Sequence, residues 1–417
     1  MMRSNPVRIA FIVATFALIF SGRAWADWGL VYLGSMDVTG PAHDVVVSGN
    51  YAYLGEWDYG LSVIDISTPS SPYRVSGVNT TGLANSVTLS GNYAYVADWN
   101  RGMAVVNIQN PASPSLVTFL DTPGQATNIT ILGNYAYIAD YNSGLSIVNI
   151  ANPSSPVLET RISTGGFADG IWGQGNYIYV AVATLGLKTY NVTVRDTAIL
   201  TDTYNSDGDA SNVTGANGYV YLSDGLRGIK VLSIANPSRP TYISVVETPG
   251  YVNDAAVSDT ILYIADDSTG VIAASMARPL FPYVIDVYNS PGIARGICAN
   301  GPLVYLGDTD TFIILVMADI NAVDEDDVLP EMFDISPVYP NPFNSSSTIA
   351  FSLTERLRIS LDVYDLTGRR TARLAGGEYE AGSHSVLWDA AGLPSGIYFV
   401  RLSSGKAHKT VKAIFLK

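Results

Sequence analysis

Apolar and polar positions alternate in short runs along nearly the whole chain and nowhere hold the 3.6-residue spacing of a helix. One stretch shows the pattern in full. Ala126 to Leu132 and Tyr135 to Ala139 alternate, Leu145 to Ile150 is apolar, and Val157 to Ile162 is a fourth short run. Gly133-Asn134, Tyr141 to Gly144 and Asn152 to Pro156 part them, all rich in residues suited to turns. These runs predict four strands. The unit then recurs without slippage: Tyr53, Tyr95, Tyr137, Tyr179, Tyr221, Tyr263 and Tyr305 keep a step of 42 residues, as do Gly40, Gly82, Gly124, Gly166, Gly208, Gly250 and Gly292. Such a period is long enough for four short strands and their turns, and longer than the coil of a β-helix.

The ends of the repeat predict closure. The seventh unit supplies strands at Arg295 to Ala299, Leu303 to Gly307 and Ile313 to Met317, then runs into acidic sequence with no fourth strand. A fourth strand without a preceding three stands at the other end, where Leu30 to Val38 aligns with Pro72 to Thr80. In a ring the N-terminal strand completes the last unit and hides the sheet edges. The expected fold is therefore all-β: a seven-bladed β-propeller of four-stranded blades, its last blade closed by the N-terminal strand.

The run Leu61-Ser62-Val63-Ile64-Asp65, with Tyr51-Ala52-Tyr53-Leu54 before it, resembles the LVIVD-repeat propeller family of bacterial surface proteins. The resemblance spans Trp28 to Ile320 and is strongest in the first three copies. Later copies drift: Val182 stands at the usual acid, Phe312 at the turn glycine, and Val271 to Ala274 is a weak third strand. The family implies a recognition scaffold at a cell surface and supplies no catalytic residues.

Arg3 and Arg8 precede an apolar run from Ile9 to Phe20, and Ala24-Trp25-Ala26 follows. Residues 1–26 therefore read as a secretory signal peptide, and no segment of the mature chain is expected to span a membrane. The propeller is assigned to residues 27–320, an acidic linker containing Asp324 to Asp327 to residues 321–335, and a small immunoglobulin-like β-sandwich to residues 336–417. Within that last segment, strands are expected at Ser347 to Leu353, Arg358 to Tyr364, Ser383 to Trp388, Ile397 to Leu402 and Thr410 to Leu416.

Three motifs of this C-terminal segment resemble the sorting domain of type IX secretion: Tyr339-Pro340-Asn341-Pro342-Phe343, Val363 to Arg369, and Ser395 to Arg401. The resemblance implies the type IX machinery as partner and a secreted or outer-surface location in a Gram-negative-type bacterium. An adhesive immunoglobulin-like module of the flagellar-hook-cap kind is the other reading of the middle motif.

Net charge of −14 argues against nucleic acid as a partner, since no basic patch offsets it. Cys298 stands alone, so no internal disulfide forms, and it reads as a small core thiol. Three histidines, two of them in the C-terminal segment, leave no histidine-rich metal site. No cofactor is expected. Asn205 to Asp209 imitates a calcium loop but lacks its distal glutamate.

Two repeat positions converge on one predicted face. Three residues after each glycine come His43, Asn85, Thr127, Asp169, Ser211, Asn253 and Arg295, and one residue later Asp44, Ser86, Asn128, Gly170, Asn212, Asp254 and Gly296. Glu56, Asp98, Asp140, Asp224, Asp266 and Asp308 form a periodic acidic set, read as capping the backbone N–H groups of the turn that follows. Departures from the period are better guides to function. Trp57, Trp99 and Tyr141 follow the acid in three contiguous units, where the other four carry Ala183, Gly225, Asp267 and Thr309. Aromatic faces beside amides and carboxylates suit a glycan or a protein partner. The candidate binding set is Trp57, Trp99, Tyr141, His43, Asn85, Asp169, Arg295 and Arg101. A non-catalytic binding protein, a carbohydrate-active hydrolase or lyase using Asp169 and Asp44 at the channel mouth, and a surface spacer or adhesin all stay open.

Overall fold

The computed structural model describes residues 28–319 and 333–415, apart from 337, 339, 342, 366–368 and 405–406. The expected signal peptide and most of the expected acidic linker lie outside the described residues. The chain divides into two compact units, residues 1–322 and 323–417.

In the first unit the described residues build seven four-stranded antiparallel sheets. Sheet three is typical, with strands Asn128–Leu132, Tyr135–Ala139, Leu145–Asn149 and Val157–Ile162 in sequential order. In sheets one to six the ladder between third and fourth strands shifts register after its third residue pair, as at Ile147/Val148, which adds twist. The first strand of each sheet packs on the first strand of the next, and that of sheet seven on that of sheet one, so the cycle is closed.

Sheet seven carries the closure. Ala294–Asn300, Leu303–Asp308 and Thr311–Asp319 are joined by Trp28–Asp37, which pairs antiparallel with Thr311–Asp319 from Trp28↔Asp319 to Asp37↔Thr311. This is the displaced strand expected from the sequence. The segment expected to weaken sheet six nevertheless forms a full strand, Gly270–Ser275, buried throughout because small side chains fit between two sheets.

Second and third strands are mostly apolar and largely buried because each sheet is covered on both faces by its neighbours. One core cluster joins Tyr53, Leu61 and Val63 of sheet one to Ala84, Val87 and Val96 of sheet two, and similar clusters fill the other gaps between sheets. The periodic tyrosines also tie neighbours together. The hydroxyl of Tyr137 donates to the carbonyl of Arg195 at 2.8 Å, and that of Tyr179 to the carbonyl of Pro237 at 3.0 Å. Each reaches the next sheet, satisfying a buried hydroxyl.

The periodic acids and glycines prove to be one device. The expectation that each acid caps the turn after it holds at Asp308, which accepts from Thr309 N at 2.6 Å, and is corrected at acids such as Asp98, where that turn is closed by its own backbone: Asp98 N donates to Gly102 O and Arg101 N to Asp98 O. The carboxylates reach back instead to the loop entering their sheet. Asp140 is fully buried and accepts from Thr122 Oγ1 at 2.7 Å, Ser146 Oγ at 2.9 Å and Gly124 N at 3.1 Å. Asp98 accepts from Thr80, while Asp266 and Asp308 accept from the N–H groups of Gly250 and Gly292. A Cβ on Gly124 would lie 2.1 Å from Asp140 O, and one on Gly292 would lie 2.3 Å from Asp308 Oδ1. The glycine period therefore reflects close approach of the acid-bearing strand end.

The second unit has two sheets, one of Phe333–Ile335, Ser346–Leu353 and Gly382–Asp389, the other of Arg370–Tyr379, Leu357–Tyr364, Gly396–Ser404 and Ala407–Phe415. Trp388, Phe351, Leu361, Val400 and Phe415 fill one core between them. Two strands escaped the sequence reading. Phe333–Ile335 lies at the end of the expected linker, with Phe333 and Ile335 buried, and Arg370–Tyr379 is an edge strand whose Gly376-Gly377 and polar side chains give no alternation. Asn341 and Phe343 of the opening motif acquire a physical role. Asn341 accepts from Ile414 N at 2.7 Å and donates to Lys412 O at 3.0 Å, holding Phe343 edge-on to Trp388.

Candidate binding site at the channel mouth

A cavity of about 630 Å³ is lined from the first strands of all seven sheets. His43, Asn85, Thr127, Asp169, Ser211, Asn253 and Arg295 all face it, as the repeat register implies. Their side chains brace the ring as well as line it. Asn85 Nδ2 donates to Thr127 O at 2.6 Å, Ser211 Oγ to Val252 O at 3.0 Å and Asn253 Nδ2 to Ala294 O at 2.7 Å, each bond reaching the next sheet.

Deeper in the cavity, Asp44 accepts from Val87 N of sheet two and Asp254 from Ile297 N of sheet seven. Burial raises both carboxyls, Asp254 to about 7 with Asp44 as the next cause. Gly296 separates them, and a Cβ there would lie 2.4 Å from Asp44 Cα. Cys298 also lines the cavity, its thiol pushed up to about 12 mainly by burial. That fits an unreactive thiol.

One side of the mouth is aromatic. His43 stacks on Trp57 with centroids 4.3 Å apart, Trp57 lies 5.7 Å from Trp99, Trp99 lies 5.9 Å from Tyr141, and Tyr141 stacks on Phe167 at 4.5 Å. Five rings therefore make a continuous arc over sheets one to four. Trp57, Trp99 and Tyr141 each form a single bridge to the entry of the next sheet, at Ala84, Ala126 and Ala168. That bridge requires φ of 39°, 48° and 40°, and the equivalent Gly225 has φ 58°. Left-handed backbone disfavours a bulky side chain and suits glycine. Backbone preference therefore does not account for the aromatics at these positions.

Phe167 was missed by the sequence reading, as were Asp209 and Tyr251, which bond to each other at 2.9 Å. All three sit one residue after the repeat glycine, in the series Pro41, Leu83, Gln125, Phe167, Asp209, Tyr251 and Ile293. Collecting that third position would have found them. Arg101 is a correction in the other direction: its guanidinium lies 5.3 Å over the Phe119 ring on the outer strand of sheet two and does not line the cavity.

The mouth is electrostatically uneven. Asn85 presents Oδ1 to His43 Nδ1 at 3.1 Å, because its amide nitrogen is engaged by Thr127 O. The imidazole therefore carries its proton on Nδ1 and leaves Nε2 as an acceptor. Burial, followed by the charge of Arg295, lowers His43 to about 4. Asp169 is raised to about 7 by burial and by Asp209.

These shifts set a pH profile. A carboxyl raised in the fold binds protons that the unfolded chain has lost, so stability declines as pH rises through that window. Asp98, raised to about 6 by burial, joins Asp169 and Asp254 in this sense. His43 opposes them between about 4 and its ordinary value of 6.5, but it is one group against three. The first unit is expected to melt about 5 °C higher at pH 5 than at pH 7.5. Asp169→Asn should flatten the slope, and a profile rising across this range would refute the assignment.

Among the described residues no group of three or more His, Cys, Asp or Glu is arranged to hold a metal, and no helix is long and apolar enough to cross a membrane.

A closed cycle of four-stranded sheets around a lined cavity defines a β-propeller, and solved structures agree. The chain is similar to the Myceliophteria thermophila Cps50 (Swd1) beta-propeller domain, with 11% identity, TM-score 0.59, and 69% of this chain and 100% of that chain covered. It is also similar to the RRP9 WD40 repeats at 9% identity and TM-score 0.57, covering 69% of this chain and 97% of that one. The computationally designed Ika8 protein gives 10% identity and TM-score 0.53, covering 69% and 100%. At these identities the likeness is one of fold alone.

The LVIVD repeat matches residues 39–80, 81–122, 123–164, 165–188 and 207–248, and the Secretion system C-terminal sorting domain matches residues 337–417. The chain is an LVIVD-repeat β-propeller protein with a C-terminal sorting domain, which implies the type IX machinery as partner and a secreted or cell-surface location. The match shortens in the repeat holding Val182 and is absent from the one holding Phe312. No curated protein matches the sequence.

Proposed function

We propose that this protein is a seven-bladed propeller, exported by way of an immunoglobulin-like sorting sandwich, whose channel mouth binds a carbohydrate. The continuous aromatic arc from His43 to Phe167 carries the reading. Sugar C–H faces stack on such rings, while amides and carboxyls bond the hydroxyls. A protein partner uses the same residue types, but a concave cavity with a polar floor favours a compact ligand.

The test is a glycan array with the wild-type chain, followed by calorimetry with a hit on the Trp57→Gly, Trp99→Gly double variant. Glycine suits the backbone at both positions, so the fold should be retained. Loss of two stacking anchors is expected to weaken binding about 100-fold. Unchanged affinity would remove the arc from the site.

One observation favours a hydrolase or lyase as second reading: Asp169, with its carboxyl near neutrality, faces the same cavity as His43 and Arg295. Turnover of a bound glycan that vanishes in Asp169→Asn would move the protein into that class.

A further inference from the structure

We infer that the ligand of this mouth is an acidic sugar chain, one whose uronic-acid carboxylate is seated on Arg295 while its ring stacks on the arc that starts at His43 and Trp57. The inference rests on the carbohydrate reading and adds the charge of the ligand. Arg295 opens the first strand of sheet seven and lines the cavity. Its Nε is buried without a hydrogen-bond partner, and no described carboxylate forms an ion pair with its guanidinium. Two other cations of this unit do have carboxylate partners, Lys230 with Asp224 and Arg74 with Glu56. A guanidinium that lines a cavity without a paired carboxylate is poised for an anion, and its planar fork fits a carboxylate.

Position ties this anion site to the aromatic arc. The Arg295 charge is felt at His43, and His43 stacks directly on Trp57. A carboxylate on Arg295 therefore places the sugar bearing it at the first rings of the arc. The neutral imidazole turns an accepting Nε2 toward a sugar hydroxyl.

Local charge selects a monoanion. Among the described residues Arg295 is the single cationic side chain lining the cavity, which also holds Asp44, Asp169 and Asp254. A phosphate dianion or a run of phosphates would meet one cation among several acids, and the chain as a whole carries −14. A carboxylate on an otherwise neutral ring avoids that repulsion.

The test compares galacto-oligosaccharides that carry a single galacturonic acid residue with neutral galacto-oligosaccharides of the same length, by calorimetry, on wild-type protein and on Arg295→Gln. Wild type should prefer the acidic series at least about 10-fold, and Arg295→Gln should abolish that preference. Raising salt should weaken the acidic series selectively. Equal binding of both series, unaffected by Arg295→Gln, would overturn the inference and leave the carbohydrate reading standing. Binding of neither series, with an array empty of other sugars, would overturn both. Circular dichroism and melting of Arg295→Gln confirm that the ring is intact.

Discussion

Deletion of Trp28–Asp37 is expected to convert the first unit from a folded monomer into an aggregating chain. That strand is the outer partner of Thr311–Asp319, whose residues from Phe312 to Met317 are all buried apolar side chains. Without it the edge of sheet seven is a long, flat, hydrophobic strand with unpaired backbone groups, the kind that recruits other chains. The last sheet also loses its link to the opposite end of the chain. Size-exclusion chromatography and a thermal melt would show the change, with no cooperative transition surviving at micromolar concentration. A peptide of residues 28–38 supplied in trans should restore part of the monomer by strand addition. A truncated chain that stays monomeric with its melting curve unchanged would contradict the closure.

Replacing Asp140 by Ala is expected to cost about 3 kcal/mol. The carboxylate accepts from Thr122, Ser146 and Gly124, and all three donors lie where water does not reach the acceptor. Simple summation would predict more. Sheet four shows why the cost is smaller, because Val182 takes the place of the acid there and Thr164 turns its hydroxyl to Gly166 O at 2.7 Å. Thr122 is expected to find the same escape, leaving Ser146 Oγ and Gly124 N unsatisfied. Urea titration measures the loss, and Asp140→Asn, which keeps one acceptor oxygen, should cost about half as much. A loss below about 0.5 kcal/mol would mean that the clamp is not a stabilising device.

Legibility in this chain follows the range of the interaction. Strand positions, the step of 42 and the displaced N-terminal strand could be read because alternation and turn chemistry are local, and repetition displays each signal several times. The edge strand Arg370–Tyr379 could not, because an edge needs little apolar alternation. The partners of periodic acids such as Asp98 and Asp140 were assigned to the wrong side for a similar reason. Sequence shows the nearest N–H groups in the following turn, whereas the fold brings the loop from the preceding sheet closer.

The candidate site divides the same way. Sequence collected Trp57, Trp99, Tyr141, His43, Asn85, Asp169 and Arg295, since ring symmetry sends equal repeat positions to equal places. Arg101 fell away because its long side chain folds outward over Phe119, a choice made by packing. Phe167 joined because its ring leans onto Tyr141 from a different repeat position.

By itself, then, the sequence determined the unit, its repetition, the displaced strand that completes the ring and the residues that break the symmetry, because these are periodic or local properties. Only the tertiary structure decided that the aromatics form one arc, that their backbone is held left-handed by a bridge to the next sheet, and that Arg295 stands unmatched beside His43. Those facts depend on contacts between residues tens to hundreds of positions apart, and such contacts exist only once the ring has closed.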